Sequence, residues 1–168
     1  ALAGSAYNDT LTGPDSGLTI SITGLNSGNA GGGFSISGIE TLYGGSGDDI
    51  FIIGVSTTVN LCGGAGDDIF RLLDGVEFAG ILDGQEGQDI LDYQDYSTGV
   101  RVNLGGASAT WAGQTYAARS ATAVNGGAAN GFQSIEGVVG GSGDDLLIGS
   151  DSDNIFNGSG GDDILIGL

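Results

Sequence analysis

A nine-residue phrase, GGSGDDIFI at Gly44–Ile52, recurs along the chain and limits its fold more than any other feature. Near copies are GGAGDDIFR at Gly63–Arg71, GGSGDDLLI at Gly140–Ile148 and GSGGDDILI at Gly158–Ile166. The shared pattern is Gly, Gly, any, Gly, acidic, Asp, any, large apolar, any. Glycines at the early places, among them Gly45, Gly47, Gly64, Gly66, Gly87, Gly141, Gly143 and Gly161, let the backbone take positive φ and turn tightly, with carbonyls facing inward. Sixth-place Asp49, Asp68, Asp145 and Asp163 add hard carboxylate oxygens, with Asp48, Asp67, Asp144 and Asp162 beside them at the fifth place. Phe51, Phe70, Leu147 and Leu165, two residues after each sixth-place Asp, are expected to fill a narrow interior. Gly and Asp favour any turn, but turn chemistry alone does not fix an apolar residue at a constant offset.

The phrase resembles the RTX, or haemolysin-type, calcium-binding nonapeptide repeat. Calcium takes about six to eight oxygens and accepts mixed carbonyl and carboxylate ligands. One loop is too small to supply them, whereas two stacked loops suffice. The resemblance implies an all-β fold, a right-handed parallel β-roll or β-solenoid wound on calcium outside the cell. Family members include toxins, proteases, lipases, epimerases, adhesins and surface-layer proteins, many of them exported by type I secretion. The segments FSISGIETLYGGSGDD and FQSIEGVVGGSGDD look closest to those of large repetitive bacterial surface proteins.

Composition agrees with a run of short turns and strands. Of 168 residues 36 are Gly and one is Pro, and 39% are hydrophobic, which is too apolar for a disordered chain. The net charge of −18 comes from 21 acidic residues against three arginines, so nucleic acid and anionic membranes should be repelled. Most of the aspartates crowd into the repeat loops, where close carboxylates require bound cations. A halophilic or acid-living source would be a second cause of such acidity. Cys62 is the one cysteine, so no intrachain disulfide forms and calcium would staple the loops instead. Apolar runs are too short for a transmembrane helix. The opening ALAGSAYNDT lacks a signal-peptide pattern, and Met is absent, so a processed chain or a piece of a longer one is expected.

The order of segments suggests one domain of two related units, about 4–83 and 84–168, with excursions near 14–38 and 94–133. The unit at Gly4 is degenerate but keeps Asp9 and Leu11. An alternating strand at 18–23 and a loose loop at 26–33 follow it. The unit at Gly84 keeps Gly87, Asp89 and Leu91, with Gln85 at the second place. The strand at 99–104 matches that at 18–23, and Phe132–Val139 parallels the Phe34 segment. Stacking at two loops per circuit predicts one column of six loops, starting at Gly4, Gly44, Gly63, Gly84, Gly140 and Gly158, with Gly149 on the opposite side. Six loops give up to about five calcium sites, strongest between 44–49/63–68 and 140–145/158–163, with 63/84 next. Sites joining 4 to 44 and 84 to 140 would have to span insertions.

Catalysis has little support: there is no His, hence no Ser-His-Asp or Cys-His pair, and Cys62 has no basic neighbour in sequence. Adjacent aspartates in glycine turns suit calcium better than glycoside hydrolysis, and the threonines are too scattered for an ice-binding face. The chain is therefore expected not to be an enzyme. Seventh-place Ile50, Ile69, Ile90, Leu146, Ile155 and Ile164 form an outer ridge, which either packs under the excursions or marks a contact surface. Trp111 and Tyr116 either anchor an excursion or stack on a sugar.

The reading that follows is a calcium-dependent structural module of a bacterial secreted or cell-surface protein. Head-to-tail assembly into a filament or array, with Asp9 and Asp163 sharing calcium across each junction, is part of that expectation. The alternatives are a non-catalytic module of a type I-secreted hydrolase or toxin, and a carbohydrate-binding adhesin module.

Overall fold

The computed structural model describes residues 2–31 and 34–168, and they form strands and turns, with one short 3-10 turn at Asn125–Gly127. The strands of the first half are β1 (Leu2–Ala3), β2 (Thr10–Thr12), β3 (Thr19–Gly24), β4 (Ser27–Ala30), β5 (Phe34–Ser37), β6 (Thr41–Gly45), β7 (Ile50–Ile53), β8 (Asn60–Ala65) and β9 (Ile69–Leu72). Those of the second are β10 (Leu82–Glu86), β11 (Ile90–Asp92), β12 (Arg101–Asn103), β13 (Ala109–Trp111), β14 (Gln114–Tyr116), β15 (Ser120–Ala121), β16 (Gly137–Val139), β17 (Leu146–Ile148), β18 (Ile155–Asn157) and β19 (Ile164–Ile166).

One sheet of nine strands, ordered β1-β5-β4-β3-β7-β9-β11-β16-β18, runs the length of the molecule. Two four-stranded sheets, β10-β8-β6-β2 and β15-β12-β17-β19, take the strands that alternate with it, and β13-β14 is a separate hairpin. The pairing is mixed: β3–β4, β4–β5, β12–β15 and β13–β14 are antiparallel and the remaining pairs parallel. The stretch read as an excursion at 14–38 thus lies partly inside the long sheet, since β3 pairs in register with β7. The loop expected at 26–33 is in part the strand β4; its last two residues lie outside the described ones.

The fixed offset between Asp and apolar residue becomes a set of inward ladders. Along the long sheet Ile20, Phe51, Phe70, Leu91, Val138 and Phe156 are successive register partners. Opposite them stand Leu11, Leu42, Leu61 and Leu82, and then Val102, Leu147 and Leu165. The central members are wholly buried. Phe51 and Phe70 stack face to face, centroids 5.0 Å apart and planes within 3°, an arrangement that adds to the area they remove from water.

Leu165 departs from its expected interior place: it is 45% exposed because β19 ends its sheet and is covered on one flank alone. Of the seventh-place ridge, Ile50, Ile69 and Ile90 are half-buried and Leu146 is buried, while Ile155 and Ile164 at the same end are exposed. Trp111 sits exposed on the β13–β14 hairpin. Tyr93 reaches from the end of β11 to donate its hydroxyl to the Thr122 carbonyl at 2.7 Å, tying the 94–133 excursion to the core.

Candidate metal centre

Strand direction decides where the repeat loops lie. The strands β1, β5, β3, β7, β9, β11, β16 and β18 run the same way in the long sheet. The loops at 44, 63 and 84 precede β7, β9 and β11, so they share the rim where the chain enters that sheet. The loops at 4, 140 and 158 follow β1, β16 and β18, so they lie on the opposite, exit rim. The single column of six is therefore corrected to two. The loop at 149 precedes β18 and belongs to the entry rim, opposite 140 and 158 as expected.

The neighbours within each column follow from hydrogen bonds. On the entry rim the Leu18 amide donates to Asp49 Oδ1 (2.6 Å), the Asp49 amide to Asp68 Oδ1 (2.7 Å) and the Asp68 amide to Asp89 Oδ1 (2.8 Å). The Asp89 amide then donates to Glu136 Oε2 at 3.0 Å. On the exit rim the Val100 amide donates to Asp145 Oδ1 (2.7 Å) and the Asp145 amide to Asp163 Oδ1 (2.9 Å). The gaps 44/63, 63/84 and 140/158 thus exist as expected. Loop 44 does not meet loop 4, nor loop 84 loop 140: Gly13–Leu18 covers the first and Ser134–Glu136 the second. The count of about five, which assumed one column, loses its geometric basis.

Fifth-place aspartates do different work. Asp48 Oδ1 accepts the Asp67 amide, Asp67 Oδ1 the Gln88 amide and Asp144 Oδ1 the Asp162 amide, each at 2.9 Å and exposed to solvent. These outer bonds cap turns and leave the inner carboxylates to face the interior.

The inner carboxylates are where a cation fits. Asp49, Asp68 and Asp89 are 0% exposed, and while each Oδ1 accepts an amide, each buried Oδ2 has no hydrogen-bond partner. A buried charged oxygen left so costs at least about 1–3 kcal/mol, and it either takes a proton or a cation. Burial pushes Asp68 up to about 7 and Asp89 up to about 6, against amide bonds that lower them and with neighbouring carboxylates adding to the rise. Asp49 and Asp145 are also raised by burial. Beside each Oδ2 is a bare cradle: a Cβ at Gly44 would collide with Asp49 Oδ2 and approach the Gly63 carbonyl oxygen. At Gly63 it would meet Asp68 Oδ2 and the Gly84 carbonyl, and at Gly140 Asp145 Oδ2 and the Gly158 carbonyl. Carboxylate and carbonyl oxygens of successive loops converge there, the donor types calcium selects. The described residues contain no cluster of three or more acidic, Cys or His side chains suited to a metal, so backbone carbonyls must supply much of any ligand set.

Sequence reasoning missed two glutamates. Glu136 stands where a sixth-place Asp would, and the Glu136 and Gly137 amides both return to the Asp89 carbonyl at 3.0 and 2.9 Å. Glu40 does the same for Asp9: its Oε2 accepts the Asp9 amide at 2.9 Å, and the Glu40 and Thr41 amides reach the Asp9 carbonyl. The Ile-Glu pair shared by the two pre-loop segments was the available signal. A turn three residues shorter needs the longer side chain.

Second-place glycine is required where φ is +138° at Gly45 and +119° at Gly64. Gln85 holds φ +78° at the same place, a conformation that costs a non-glycine residue about 1–2 kcal/mol. Glycine there recovers that cost less its own unfolded-state entropy. Gln85→Gly is thus expected to raise Tm by about 2–3 °C in saturating calcium, and a lower Tm would show that the Gln85 side chain contributes packing.

These features define a class: an all-β repeat protein whose glycine–aspartate turns stack on one another with their inner carboxylates buried. The model of the RTX calcium-binding nonapeptide repeat matches the chain in four copies, over residues 35–52 and 138–168. The chain therefore carries RTX calcium-binding repeats in both halves. Gly63–Arg71 lies outside the matched spans, yet its loop stacks directly on Gly44–Asp49. Among curated proteins none matches the chain.

Proposed function

We propose that this chain is a non-catalytic, calcium-dependent structural module of a secreted bacterial protein, wound as a right-handed parallel β-roll. The observation that carries the reading is the run of three buried carboxylates, Asp49, Asp68 and Asp89, each with one oxygen left without a partner inside a glycine cradle. Bound calcium would neutralise those oxygens and cross-link successive loops, and the residues to hold it are Asp49, Asp68, Asp89, Asp145 and Asp163 with the glycine carbonyls of adjoining turns. RTX repeat proteins are typically secreted, into media where calcium is plentiful enough for weak modules. No helix among the described residues is long and apolar enough to cross a membrane.

The finer reading is self-assembly at a cell surface. Asp9 and Asp163 share the exit rim at opposite ends of the stack. Asp163 accepts the Asp145 amide as Glu40 accepts the Asp9 amide, so a second copy placed beyond β18 and β19 would continue the same ladder through its Asp9. Apolar Ile155, Ile164 and Leu165 are exposed at one end and Leu2 at the other, as a stacking contact needs.

Calcium titrated into metal-stripped protein, followed by far-UV circular dichroism and light scattering, tests both levels. Calcium is expected to raise the melting temperature and β-sheet signal of the metal-stripped protein, with rising scattering. A spectrum and Tm unchanged by calcium would overturn the calcium reading, and a calcium response without scattering would overturn assembly alone.

A further inference from the structure

The repeat loops occur in two backbone states, distinguished by where the second-place amide points. In the loops at 44, 63 and 84 the second residue belongs to a sheet ladder, Gly45 pairing with Gly64 and Gly64 with Gln85. All three have positive φ, and in all three the sixth-place Oδ2 is unpartnered. In the loops at 4, 140 and 149 the second residue has no positive φ, and its amide instead donates to the sixth-place side chain. Ser5 donates to Asp9 Oδ2, Gly141 to Asp145 Oδ2 at 2.9 Å and Ser150 to Asn154 Oδ1 at 2.8 Å. The first group is open towards the cradle and the second is capped by its own backbone.

A capped oxygen is poorly placed for a cation, because the amide presents its positive end to the same lone pair. From this contrast we infer that the chain binds calcium in two phases. The entry-rim loops at 44, 63 and 84 fill first, with no change of backbone state, since their carboxylate oxygens are already free. The 140/158 pair fills second, after the Gly140–Gly141 peptide rotates and withdraws its N–H from Asp145.

Residue identity at the capped loops decides which can open. Gly141 reaches the positive φ seen at Gly45 and Gly64 without a steric penalty, whereas Ser5 and Ser150 reach it only at a steric cost, one that Ser159 bears at φ +68° in the loop at 158. Loop 149 also ends in neutral Asn154, which offers a cation no charge. The rotation is local: the following Ser142 amide stays on the Tyr96 carbonyl at 2.9 Å, so the clamp of segment 96–99 over this loop persists. The cradle formed by Asp145 Oδ2 and the Gly158 carbonyl is already in place beside Gly140. Losing one hydrogen bond to a charged oxygen makes the second phase about tenfold or more weaker than the first.

The inference rests on the calcium reading above, and one experiment separates their failures. Metal-stripped, isotope-labelled protein is titrated with calcium chloride, followed by calorimetry and amide NMR. Two heats are expected, with the Asp49 and Asp68 amides shifting in the first and the Gly141 amide in the second. Asp145→Asn should delete the second heat, and Asp68→Asn should weaken the first. A single phase in which Gly141 shifts together with Asp68, or a Gly141 amide unmoved at saturation, overturns the two-phase inference while calcium binding stands. Absence of any heat or shift overturns the calcium reading itself.

Discussion

Metal-free protein is expected to lose stability as pH rises from about 4 to about 7, and saturating calcium to abolish that loss. Burial raises Asp68 to about 7 and Asp89 to about 6, and lifts Asp49 and Asp145 as well. An unfolded aspartate ionises near its ordinary value of about 3.9. Below that pH both states hold the proton and no difference arises. Above it the unfolded chain releases protons that the folded chain retains, so the folded state loses ground at each step. The loss is complete once the pH has passed the folded values. Calcium reverses the balance by replacing the proton on the unpartnered oxygens, so binding releases protons and weakens towards pH 5. Thermal melts of metal-stripped protein between pH 4 and 8, with and without calcium, read this directly. Equal Tm at pH 5 and pH 8 without metal would mean that the inner carboxylates are not buried acids in solution.

That sensitivity was legible only in part from the sequence. The fixed offset between Asp49 and Phe51, repeated at Asp68 and Phe70 and at Asp145 and Leu147, encodes an inner carboxylate followed by a core side chain. Local spacing suffices because the turn and the strand after it are one continuous stretch of backbone. Which rim a loop occupies is a different kind of information. Each nonapeptide advances half a circuit, so the rim depends on whether an even or odd number of half circuits intervenes. Between Gly84 and Gly140 the chain passes through β12, the β13–β14 hairpin and β15 before it re-enters the long sheet at β16, and residue spacing does not count those crossings. The loop covering Gly44 went unrecognised for a related reason. Gly13–Gly17 lacks the sixth-place Asp and contributes instead the Leu18 amide that Asp49 accepts. Val100 plays that part for Asp145 on the other rim, so the two loops are capped by the same kind of amide although β3 and β12 enter different sheets.

Phe70→Ala is expected to be the most damaging single truncation in the core, costing about 3–5 kcal/mol and lowering Tm by about 10 °C. Phe70 is wholly buried, stacks on Phe51 at 5.0 Å and pairs in register with Leu91 on its other side. In a stacked array stability is close to a sum of unit and nearest-neighbour terms, and this one side chain enters two of those interfaces. Its strand also follows directly from the loop holding Asp68, so the cavity left behind loosens the carboxylate ladder that runs from Asp49 to Asp89. Truncation should therefore weaken first-phase calcium binding as well as stability. Leu165→Ala is the matched control: it occupies the same place in its repeat but is 45% exposed at the end of its sheet, and should cost less than about 1 kcal/mol. Comparable losses for the two variants, measured by denaturant unfolding in calcium, would mean that Leu165 is buried in solution by a further layer. That result would point to end-to-end stacking of this chain, and repeating the comparison at tenfold dilution would show whether the layer is a second copy.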